Sequence, residues 1–194
     1  QPLQRTPYCK SSVVHTSFGG SKAAEIIDCG IRFFQQKSTL ADDLRLFLWQ
    51  YREATEEGSI TLGMLLQGCT LLEGLVGLVL RHPLGLSERK INKLTTPFQG
   101  TDDKRQGHTE ARFYHAGIHL GFNWDSEVEP VFVIWKKVRN ALGHGNLGEF
   151  WNDMNHPVID SYLRIIQAFN AMALRLIGYK GRVCMDDGWY AVPN

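Results

Sequence analysis

The stretch from Leu62 to Val79 constrains the fold of this chain more than any other. Leu62, Leu65, Cys69, Leu72, Val76 and Val79 recur in steps of three and four, the spacing that lines one face of an α-helix. A seam of that length needs other helices to cover it, and Pro83 closes it because its ring cannot continue a helix. The surrounding run, Ile60 to Leu80, approaches membrane-spanning length. It carries Gln67, Glu73 and four glycines, so a core helix and no membrane span is the expectation. Glu73 lies beside the seam, on the row of Leu66 and Leu80.

Helical periodicity also governs most of the chain after Asp42. Leu44, Phe47, Leu48 and Tyr51 recur at helical spacing until Gly58. Pro130 sits in the first turn of a helix whose apolar face is Val131, Ile134, Trp135, Val138 and Leu142, and Gly143 and Gly145 bracket His144 where that helix should weaken. A last helix runs from about Pro157 to Leu176, with Ile159, Tyr162, Leu163, Ile166, Phe169 and Ala173 on its apolar face and Gly178 as its stop. Between the second and third of these, residues 84 to 125 are polar and mixed, with a helix carrying Arg112, His115 and His119. The first 40 residues hold Pro2, Pro7, Gly19, Gly20 and Gly30 around short apolar stretches, which reads as an irregular lead-in with a short strand. The tail from Tyr179 to Asn194 has turn chemistry and room for a short strand.

The fold class predicted is therefore all-α: a bundle of four main helices with a helical insertion and short irregular N- and C-terminal segments. Residues 1–40 form the lead-in and 41–194 the helical domain with its tail. A chain of 194 residues fits one such domain. Its formal net charge of +1 is too even to advertise nucleic-acid binding by bulk charge, so a site for a polyanion must be a local patch. Cys9, Cys29, Cys69 and Cys184 show no Cys-x-x-Cys spacing and no secretory segment opens the chain, which points to the reducing cytoplasm.

One segment carries chemistry. Val138-Arg139-Asn140-Ala141-Leu142-Gly143-His144-Gly145 ends an apolar helix, and among twelve arginines only Arg139 has a histidine five positions on. Metal-free RNA cleavage uses the substrate's own 2′-hydroxyl as nucleophile. The protein must take that proton, neutralise the crowded phosphate and protonate the leaving 5′-oxygen. Arginine offers a fixed fork of donors and a permanent charge for the phosphate. Histidine titrates near neutrality and suits the proton work. Arg139 would clamp phosphoryl oxygens, His144 act as acid or base, and Asn140 donate an orienting hydrogen bond. Glu73, as a supporting residue, would pair with Arg139 or remain a solvated flank.

The same segment resembles the arginine-to-histidine motif of the HEPN superfamily, small helical domains that are often metal-independent endoribonucleases. Leu65-Leu66-Gln67-Gly68-Cys69-Thr70-Leu71-Leu72-Glu73 resembles the Leu-Glu helix of Apea-like HEPN domains, and Leu176-Ile177-Gly178-Tyr179 their closing segment, so the likeness covers about residues 42 to 180. It implies a HEPN-like homodimer that cleaves RNA through a 2′,3′-cyclic phosphate without a metal or other cofactor, in bacterial defence or toxin systems. It also implies a β-rich upstream domain, of which the first 40 residues would be the end. Two other readings stand beside it. A non-catalytic module of the same kind would only dimerise or bind RNA or a partner protein. A metal-dependent hydrolase would use His115 and His119, four apart on one helical face, although the His-Glu-x-x-His pattern is missing. Arg112 with His119 is a second arginine–histidine pair, but Phe113 stands where a polar residue follows Arg139. Phe18-Gly19-Gly20-Ser21-Lys22 lacks the first glycine of a phosphate loop and reads as a turn. The five tryptophans (Trp49, Trp124, Trp135, Trp151 and Trp189) read as core and interface anchors.

Overall fold

The computed structural model describes residues 20–56, 61–97, 107–144 and 157–181. Among these the chain is all-helical, as the periodicity predicts. In order come α1 (Gly20–Gln35), α2 (Thr39–Glu56), α3 (Leu62–Arg81), the single turn α4 (Glu88–Ile91), α5 (Gly107–His119), a π-helical turn (Trp124–Val128), α6 (Glu129–His144) and α7 (Pro157–Leu176). The four main helices predicted are α2, α3, α6 and α7.

Helix α3 is the hub, packing most extensively on α7 and then on α2, α5 and α6. Leu65, Cys69, Leu72, Val76 and Val79 of the seam are each at most 1% exposed, and Leu71, Leu75, Leu78 and Leu80 on its other sides are buried too. A helix apolar on nearly every side belongs in the middle of a bundle. It is long and apolar enough to cross a membrane, and here its surroundings are other helices. Its start is fixed by Thr61, whose Oγ1 accepts the Met64 N–H at 3.2 Å, satisfying one of the free donors of the first turn. At Gly74 the absence of a side chain lets the Phe47 ring of α2 lie against the α3 backbone; a Cβ there would overlap the ring.

Over residues 20–35 the irregular lead-in is replaced by α1; residues 1–19 lie outside those described. Gly20 to Lys22 open a helix, and Ile26, Cys29 and Phe33 follow at steps of three and four, all buried. Gly30 misleads a reading based on turn formers. It faces open space, where a glycine costs a helix only about 1 kcal/mol relative to alanine. Burial of the Ile26–Cys29–Phe33 face outweighs that. Lys37 takes the left-handed conformation (φ 47°) that turns the chain into α2, and the Ser38 hydroxyl accepts the Ala41 N–H at 3.2 Å.

The insertion also goes deeper than its polarity suggests. Ala111, Phe113 and Ala116 of α5 are buried, and the Phe113 ring meets Phe132 and Trp135 of α6 at 5.4 and 5.1 Å. Gly117 of α5 lies against Val128 of the π-helical turn, where a Cβ would overlap the valine side chain. Helix α7 ends as its sequence predicts. Gly178 adopts φ 88°, with the Tyr179 N–H on the Leu174 carbonyl and the Gly178 N–H on the Arg175 carbonyl, both at 3.0 Å, a pairing that a glycine in the left-handed region permits. The strand considered for the tail falls on residues outside those described.

Candidate functional site

Helices α3 and α6 meet in two rungs. In the first, the Trp135 indole N–H donates to the Cys69 carbonyl at 3.1 Å in a buried contact. One turn further along both helices, Arg139 of α6 pairs with Glu73 of α3, Nη2 to Oε2 at 3.6 Å. Cys69 and Glu73 are four apart, as are Trp135 and Arg139, so the two helices run side by side in the same direction here. The Arg139 guanidinium also lies 6.0 Å from the Trp135 ring centroid, within cation–π range. Burial of Trp135 thus sets where the arginine emerges.

The pair sits at the edge of the core. The Arg139 side chain is 40% exposed and that of Glu73 33%. At 3.6 Å the contact is longer than a charge-assisted hydrogen bond, which holds the guanidinium without saturating its five donors. Beneath it, burial pushes the Cys69 thiol up to about 12, with Arg139 pulling it down and Glu73 pushing it further up. The thiol is therefore neutral at physiological pH, a packing group and not a nucleophile.

Asn140 is exposed on the same helix, adjacent to Arg139. His144 is the last residue of α6, a little more than one turn beyond Arg139; its side chain lies outside those described. Of the four residues singled out by sequence, Glu73 and Arg139 are in contact, Asn140 borders them, and the backbone of His144 continues the same helix. Trp135 and Cys69, which align the two helices beneath the ion pair, carry no motif of their own. Their only signal is helical spacing, each lying one turn before a charged residue.

Two of the competing groups, His115 and Arg112, are engaged elsewhere. His115 Nε2 lies 2.9 Å from the Thr95 carbonyl oxygen, and His119 is exposed. Among the described residues no group of three or more His, Cys, Asp or Glu is placed to hold a metal ion. Arg112 donates to the Asn92 side-chain oxygen at 2.7 Å, tying α5 to the segment after α4. Trp124 and Trp135 are buried anchors, whereas Trp49 is 56% exposed on α2; Trp151 and Trp189 fall outside the described residues. Cys29 and Cys69 are free and buried. Compared with family models, curated proteins and solved structures, the chain finds no match.

Proposed function

We propose that the chain is a HEPN-type endoribonuclease that cleaves RNA without a metal, in the cytoplasm and in a defence or toxin role. The observation that carries this reading is the Glu73–Arg139 pair at 3.6 Å: an arginine held on one side by a carboxylate and open on the other to solvent, within the one arginine-to-histidine segment of its kind. A guanidinium positioned before substrate arrives need not be ordered by it, which lowers the cost of reaching the transition state.

In the proposed reaction the 2′-oxygen attacks the adjacent phosphorus as its proton passes to a base. The phosphorus–5′-oxygen bond breaks, the 5′-oxygen takes a proton from an acid, and a 2′,3′-cyclic phosphate remains. Arg139 stabilises the charge on the non-bridging oxygens, Asn140 donates to phosphate or imidazole, and His144 carries a proton. One chain brings one such histidine. A two-fold homodimer facing its two motifs across a cleft supplies both acid and base.

A second reading is favoured by the same ion pair. An arginine paired to a neighbouring helix and lying on a tryptophan is also a structural tie, as a dimerisation or RNA- or partner-binding module would keep it. Incubation with RNA in excess chelator separates the readings. Cleavage supports the proposal, binding without cleavage the module, and cleavage lost on chelation the metal-dependent hydrolase with His115 and His119.

A further inference from the structure

Charge is segregated along α6 in a way that helix stability does not explain. Asp125, Glu127 and Glu129 cluster at its start, and from Pro130 to His144 the sequence holds no carboxylate but three fixed cations, Lys136, Lys137 and Arg139. The neighbouring α3 contributes a single acid, Glu73, and that one is placed on Arg139. Cations favour a helix C-terminus through the macrodipole only within the last turn. Lys136 stands two turns before His144. It lies three residues before Arg139 and four before Asn140, hence on the same face, half-buried. Two like charges one turn apart repel, and among the described residues no ion pair to a carboxylate offsets Lys136. A solvated polyanion would. Beyond this pair the same helix presents Val133, Lys137 and Asn140 to solvent on one face.

We propose that Lys136 holds the phosphate next to the scissile one, so that a single RNA strand runs along α6 with one phosphate on Arg139 and its neighbour one helical turn back. This rests on the ribonuclease reading and adds a substrate requirement to it: single-stranded RNA extending past the cut, recognised through its backbone and not its bases. Lysine, a flexible point charge, suits a phosphate that is held but not transformed.

The test is binding of a fluorescent single-stranded RNA of about twelve nucleotides to the full-length His144→Ala protein, by anisotropy over a range of salt. Adding Lys136→Gln should weaken binding to RNAs of different sequence by the same factor and reduce the slope of log affinity against log salt by about 0.7, the loss of one single-strand phosphate contact. Lys136→Arg should restore the slope, and Lys93→Gln, an exposed lysine beyond α4, should leave it unchanged. An unchanged slope in Lys136→Gln, or an equal loss in Lys93→Gln, overturns the Lys136 subsite while leaving the ribonuclease reading intact. No binding by His144→Ala together with no cleavage by the parent overturns both.

Discussion

Helices α3 and α6 differ in how the fold uses them. Along α3 the seam residues from Leu65 to Val79 are at most 1% exposed, and its one carboxylate is pushed to the rim. Along α6 the apolar face is also buried at Val131, Trp135 and Val138, but two of these positions have a cationic neighbour at the rim: Lys136 beside Trp135, and Arg139 beside Val138. The buried helix sets positions, and the half-buried one presents charges at those positions. A reactive group placed on this boundary gains rigidity from the core without the desolvation that would neutralise it.

If that division holds, damage to the two regions should be separable. The largest loss should come from the core: Leu72→Ala removes a side chain with no exposed surface and should cost about 2–5 kcal/mol of stability, read as a lower denaturation midpoint with an unchanged slope. Next, Arg139→Ala should lower RNA cleavage at least about 100-fold, roughly 2.7 kcal/mol of transition-state stabilisation, while circular dichroism shows the helices intact. If Arg139→Ala unfolds the protein instead, the residue belongs to the core and the contrast collapses.

A smaller effect concerns the thiol under the ion pair. Because burial raises Cys69 from 9.0 to about 12, the folded state keeps a proton that the unfolded chain releases above about pH 9. Its contribution is complete below that pH and declines as pH rises toward 12, by on the order of 1 kcal/mol at pH 10. Stability curves of the parent and Cys69→Ala should therefore converge between about pH 9 and 12. Parallel curves over that window would place the thiol in contact with water. The smallest effect should be that of Glu73→Gln. With both partners a third or more exposed, solvent screening limits the pair to about 1 kcal/mol or less, so a slight fall in melting temperature should accompany a loss of activity of about tenfold or less. Unchanged activity would make Glu73 a flank residue.

Legibility in the sequence divides along the same physical line. The seam of α3, the Pro130 start of α6 and the Gly178 stop of α7 are readable because each rests on local spacing or backbone chemistry. The Glu73–Arg139 contact is readable as one of two alternatives, since a carboxylate beside a long apolar seam looks for a cation. Helix α1 is hidden by Gly30, whose turn-forming tendency competes locally with a burial pattern that Leu174 and Tyr179, far along the chain, help to fulfil. The depth of α5 is hidden for a related reason: Ala111, Ala116 and Gly117 bury a surface by being small, and small residues leave a weak apolar signal. Lys136 gives no local signal, because its meaning depends on which carboxylates neighbouring helices supply.

The central claim is that the end of α6 performs metal-free RNA cleavage, and the products of the reaction test it most directly. Purified parent protein incubated with RNA in excess chelator should leave fragments ending in 2′,3′-cyclic phosphate, and folded His144→Ala at the same concentration should leave at least about 100-fold fewer. Equal amounts of cyclic-phosphate ends from parent and His144→Ala, or no such ends from the parent, would contradict the account.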